Sequence, residues 1–117
     1  MTEYLYKNLS RKMKYDILRG DYPPGSRFPS LRVLAGQEQC NLATVKRAIQ
    51  VLEQEHLVFP KHTKGIFVTD NAVLIQKMRY EEQMALIESL YKKLMILGFS
   101  RNEILTMIQE CGYGQSV

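Results

Sequence analysis

The sequence predicts a mainly α protein with one small β-hairpin, arranged as a winged helix-turn-helix followed by a two-helix arm. Three observations predict it. Apolar residues recur at helical spacing in three separate stretches before Glu55; two short β-prone runs then flank a basic turn; and beyond Asp70 no glycine or proline interrupts the chain until Gly98.

Leu5, Leu9, Met13 and Ile17 recur every four residues, so a helix is predicted over residues 4 to 19, ended by Gly20. Tyr4, Tyr6 and Tyr15 on it read as packing residues rather than base-stacking platforms. DYPPGSRFP is predicted as a loop, because two adjacent prolines followed by glycine cannot continue a helix. Ser30 is placed to cap a short helix reaching about Gln37, with Leu31, Leu34 and Ala35 facing inward.

The triplet EQC turns into NLATVKRAIQVL, where Asn41 is a good N-cap and Val45, Ala48, Ile49 and Leu52 fall at i, i+3, i+4 and i+7. That spacing makes one apolar stripe and assigns Thr44, Lys46, Arg47 and Gln50 to an outer face that is basic and without an acid. LVFP and IFVT then flank KHTKG, a hairpin with a basic tip. A short basic helix face taken alone is more often solvated surface. Standing third in a helix-turn-helix and before a basic hairpin, it points to entry into the DNA major groove, which is about 12 Å wide.

Charge agrees with that reading. The 117 residues carry a net charge of +4, and residues 1–70 hold all of it, with 11 Lys plus Arg against 7 Asp plus Glu, while residues 71–117 hold five of each. A phosphate backbone suits this distribution. A membrane suits it poorly, since no basic amphipathic segment has an interfacial Trp/Phe/Leu face. There is no run of about 18 apolar residues, and MTEYLYKNLSRK lacks a signal-peptide core, so a cytoplasmic protein is expected.

Cys40 and Cys111 form no disulfide framework, and Cys40, His56 and His62 have no ligand spacing, so neither a metal nor a cofactor is expected. No nucleophile stands with a base, and no phosphate-binding glycine loop is present; no catalytic residue is assigned and an enzyme is not expected.

PPGSRFPSLRVLA, ATVKRAIQVLEQEHLV and KGIFV, in that order between about Tyr6 and Val68, resemble the N-terminal domain of the GntR family of bacterial transcription regulators. The short helical tail resembles the YtrA subfamily. The resemblance implies DNA contacts at Arg32 on the second helix, at Thr44 and Lys46 on the third, and at His62, Thr63, Lys64 and Gly65 in the wing, which in the family reaches the minor groove. Arg47 joins them from the basic face, and Leu42 or Ala43 can meet a thymine methyl. The chain departs from the family at Asn41-Leu42-Ala43, where Ser-Arg and a small residue are usual, and at Gln39 and His56, which take places where glycine is usual.

Composition changes near Asp70–Asn71, suggesting a DNA-binding domain over 1–70 and a helical tail over 71–117. A helix from Ala72 to Leu97 would be about 39 Å long, more than a small domain covers. Leu74 and Met78 begin its apolar stripe, and Ile87, Leu90, Leu94 and Leu97 continue it. Gly98 ends it. Ser100-x-x-Glu103 is a capping box, with Phe99 and Ile104 as a hydrophobic staple, for a last helix over about Arg101 to Glu110 that presents Ile104, Leu105 and Ile108.

A second copy is the simplest cover for these faces, so Leu74, Met78, Ile87, Leu90, Leu94, Leu97, Ile104 and Ile108 are expected to dimerise. The alternative is a tail folded back onto the winged helix. A homodimer on double-stranded DNA implies an inverted-repeat operator with half-sites about 34 Å apart; repression follows from the resemblance alone. The competing classes are a protein-interaction module and a small-molecule sensor whose effector sits among Met78, Met84, Met95 and Met107.

Overall fold

The computed structural model describes residues 2–111, and side chains from residue 5 onward; the packing role expected of Tyr4 lies outside that range. The elements are α1 (Thr2–Arg19), β1 (Arg27–Phe28), α2 (Leu31–Glu38), α3 (Leu42–Gln54), β2 (Val58–Lys61), β3 (Gly65–Val68), α4 (Ala72–Ile96) and α5 (Arg101–Cys111). The strands form one antiparallel sheet of order β1-β3-β2. The chain divides into two compact units between Arg79 and Tyr80.

In the first unit α1 packs on α3, with Leu9, Met13 and Ile17 meeting Val45, Ala48 and Leu52 in a common core. Leu5, which shares the spacing that predicts the helix, is 50% exposed. Residues four apart drift by about 40° around a helix of 3.6 residues per turn. Three steps of four residues from Ile17 back to Leu5 therefore carry the stripe off the buried side, which Ser10 and Leu18 complete instead.

The stretch expected as a loop contains β1. Phe28 is buried and pairs with Ile66, Arg27 pairs with Phe67, and the Tyr22 ring lies 4.7 Å from that of Phe28. The Pro-Pro-Gly turn is fastened to the same edge, Gly25 N–H donating to the carbonyls of Val68 and Thr69 and Val68 N–H to that of Ser26. One apolar side chain and two ladder positions make this strand, too little to leave a period in the sequence.

Helix starts follow the caps. Ser30 Oγ accepts from Val33 N–H at 3.2 Å, and Asn41 Oδ1 accepts from Thr44 N–H at 2.8 Å. The ends of α2 and α3 are less usual. Gln39 and His56 both take left-handed backbone, with φ of 54° and 64°. His56 N–H donates to Glu53 O and Leu57 N–H to Leu52 O, the paired bonds that close a helix when its C′ residue is left-handed. An L side chain there costs roughly 1–2 kcal/mol. Ion pairs Lys12–Glu38 and Lys14–Glu55 (3.0 Å) tie α1 to the ends of α2 and α3.

Ile75 is buried in the first unit's core and Met78 packs against it, so the first two turns of α4 belong to that unit. The composition break at Asp70–Asn71 marks the start of α4 and not the parting of the units. This corrects the placing of Met78 on a stripe awaiting a partner: three residues from Ile75, it shares the face that the core already covers.

In the second unit Gly98, at φ 95°, ends α4 with the same paired bonds, to Met95 O from its own N–H and to Leu94 O from Phe99 N–H. The capping box forms as expected, Ser100 N–H donating to Glu103 Oε1 at 2.9 Å and Glu103 N–H to Ser100 Oγ at 3.2 Å. The Ser100 N–H holds the Glu103 carboxyl below the ordinary glutamate pKa, so this clasp is present at neutral pH and is lost as acid protonates it. Ile104 is a second correction. It is 2% exposed, covered by its own chain and not open to another.

Replacing Gln39 or His56 by glycine removes the left-handed penalty at the cost of a more flexible unfolded chain. Each variant is expected to gain about 0.5–1 kcal/mol, read as a raised melting temperature in thermal denaturation.

Candidate nucleic-acid interface

The interface is built outward from the buried side of α3. Val45, Ala48, Ile49 and Leu52 are buried, which turns Ala43, Lys46 and Gln50 to solvent on the opposite side, with Leu42 exposed at the helix start. Thr44 corrects the sequence reading, being only 3% exposed. It lies four residues before Ala48 and so shares the buried flank. Its hydroxyl is not presented on the outer face.

Arg47 is exposed, and its guanidinium carbon stands 4.1 Å from the centre of the Tyr6 ring on α1. The contact is a cation–π pair that orients the arginine along the α1 flank. Arg32, on the first turn of α2, is exposed as well. Glu38, the acid of α2, accepts a hydrogen bond from Lys12 and raises the Lys12 pKa.

Between α3, the start of α2 and the β2–β3 hairpin runs a groove of about 600 Å³. Its floor is apolar, from Leu31, Ile49, Pro60 and Ile66; Arg32, Lys46 and Lys61 stand on its walls, with Leu42 and Gln50 between them and Glu53 as its acid. A cationic wall over an apolar floor suits a phosphate-bearing ligand that also offers methyl groups and base edges.

The hairpin forms the far wall. Lys61 pairs with Gly65, and Lys64 N–H donates to Lys61 O at 2.9 Å, closing a turn over Lys61, His62, Thr63 and Lys64. Thr63 has φ 63° at the third position, the signature of a type II turn, where glycine or asparagine is the usual residue. His62, Thr63 and Lys64 are exposed at the tip. Gly65 has φ 116°, and a methyl group added to it would stand 3.0 Å from Nε and 3.1 Å from Nη2 of Arg27.

Arg27 is the residue sequence reasoning missed. In an expected loop it had no face, and only the pairing of β1 with β3 places it beside the wing. The outward face of the sheet also carries Lys61, whose Nζ lies 4.7 Å from the centre of the Phe67 ring. Among the described residues no three His, Cys, Asp or Glu side chains gather as metal ligands, and no helix is long and apolar enough to cross a membrane.

Three helices with the third turned outward beside a β-hairpin define a winged helix-turn-helix, the architecture of a DNA-binding regulator. Residues 5–68 match the family model described as bacterial regulatory proteins, gntR family. The chain belongs to the GntR family of transcriptional regulators and, by its likeness to YtrA, to the YtrA subfamily.

YtrA of Bacillus subtilis, an HTH-type transcriptional repressor, is 30% identical over 92 residues, which are 79% of this chain and 68% of YtrA. YhcF of the same organism, an HTH-type transcriptional regulator, is 24% identical over 105 residues, or 90% and 87% of the two chains. Among solved structures, a GntR family regulator from Listeria monocytogenes superposes with a TM-score of 0.86 at 23% identity, over 90% of this chain and 92% of the other. A GntR family protein from Bacteroides thetaiotaomicron superposes with a TM-score of 0.66 at 31% identity, over 95% and 98%. These relatives are regulators of transcription, a class distinct from enzymes.

Gly65 joins a positive φ to a close guanidinium, so Gly65→Ala must strain the backbone and displace Arg27 together. The variant is expected to lose more than about 1 kcal/mol of stability in urea denaturation.

Proposed function

We propose that this regulator binds an inverted-repeat operator in double-stranded DNA as a homodimer and represses transcription by occluding the promoter. The observation that carries the DNA reading is the groove between α3 and the wing, walled by Arg32, Lys46 and Lys61. Lys46, Ala43 and Gln50 face the bases of the major groove, with Leu42 placed to meet a thymine methyl. Arg32 and Arg47 take phosphates. His62, Thr63, Lys64 and Gly65 approach the minor groove, Gly65 by its bare backbone. Thr44 contributes through the helix start, its N–H held by Asn41, and not through its hydroxyl.

Support for the dimer comes from the second unit, where Ile87, Leu90, Leu97, Leu105 and Ile108 are half or more exposed or nearly so, together with Leu86 and Ile96 off the expected stripe. Monomeric proteins rarely leave so much apolar surface to water. Leu74 and Leu94 are half-buried and complete the candidate interface, from which Met78 and Ile104 are withdrawn. Support for repression is the name of YtrA, a transcriptional repressor. The place of action is the bacterial cytoplasm, where the DNA is.

Lys46→Ala is expected to weaken binding to the operator by about 1–3 kcal/mol while leaving a random duplex nearly unaffected, as titrations of both duplexes will read. Equal losses on both would make Lys46 a phosphate contact only. Leu90→Asp is expected to give monomers in sedimentation velocity, because a charge at an apolar interface is left without a partner. An unchanged dimer would place the interface elsewhere.

A further inference from the structure

We infer that Arg27 is a further DNA contact, binding a backbone phosphate beside the segment that the wing tip enters. The inference rests on the DNA-binding reading above and adds a residue from a strand that the helix-turn-helix pattern does not include.

The placement begins with Phe28. Its burial fixes which way β1 faces, and since successive side chains of a strand point to opposite sides, Arg27 must stand on the outer face of the sheet. There it pairs with Phe67, which in turn pairs with Phe59. Its guanidinium passes over Gly65, the glycine that lines the groove and closes the wing, in space that any larger residue would fill. The outward residues of the three strands are Arg27, Phe59, Lys61, Gly65 and Phe67. Two are cations and none is an acid.

Arg27 has no ion pair among the described residues. A guanidinium offers five N–H donors in a rigid fork that matches a phosphate. Held against the wing base, this one extends the cationic wall of the groove from Lys61 around the hairpin. Phosphate chemistry is favoured over base reading because Arg27 stands at the base of the wing and not at its tip.

The test is a binding titration at several salt concentrations, using the duplex that the parent protein selects from random sequence and an unrelated duplex. In Arg27→Gln the slope of log affinity against log salt should fall by about 0.9, with affinity about three- to tenfold weaker on both duplexes alike. A purely structural arginine would lower the melting temperature and leave that slope unchanged, which overturns the inference. Arg27→Lys guards against a folding defect: it should keep the slope while losing part of the affinity with the fork. Unchanged affinity in Arg27→Lys together with an unchanged slope in Arg27→Gln overturns the contact while leaving the DNA reading intact. A parent that shows no salt-dependent binding to any duplex overturns both.

Discussion

The structure depends on the fixed rotation of one helix. Val45, Ala48 and Leu52 on α3 have no exposed surface, and α1, α2 and the sheet all close upon them. Burying side chains of this size contributes roughly 1.5–3 kcal/mol each for Val and Leu. A turn of α3 about its axis would forfeit most of that, so the helix cannot rotate to suit a ligand. The outer residues inherit the constraint: Lys46 and Gln50 face the groove because their neighbours in sequence cannot.

The same constraint explains why the turns around α3 accept unfavourable backbone. Gln39 and His56 are left-handed without being glycine, and each lies where the chain leaves a helix whose orientation the core has already set. Thr63 repeats this in the wing, where strand pairing from Val58 to Lys61 fixes the approach to the turn. Packing overrides local preference at all three. Gly65 differs, since there both the backbone and the Arg27 guanidinium exclude a side chain.

Most helices were legible in the sequence because their signals are local. The caps at Ser30 and Asn41 and the box at Ser100 and Glu103 formed as their residues imply. What escaped was set by partners distant in sequence. β1 exists through its pairing with β3, and with it Arg27 gained a face. Thr44 looked outward by residue type, yet lies on the flank of the stripe. Met78 and Ile104 fitted an apolar pattern that could not say whether the chain itself or a second copy covers them. In the second unit apolar residues occur all around α4, so no single stripe describes its exposed surface.

In the proposed function α3 and the wing read DNA from a twofold dimer. Selection of random duplexes on the purified protein, with binding of the enriched sequence measured over a series of salt concentrations, tests it most directly. An inverted repeat with half-sites about one helical turn apart and a steep fall of affinity with salt is the result this account predicts. No enrichment, with weak binding indifferent to sequence, would contradict it and leave the basic face of α3 as solvated surface.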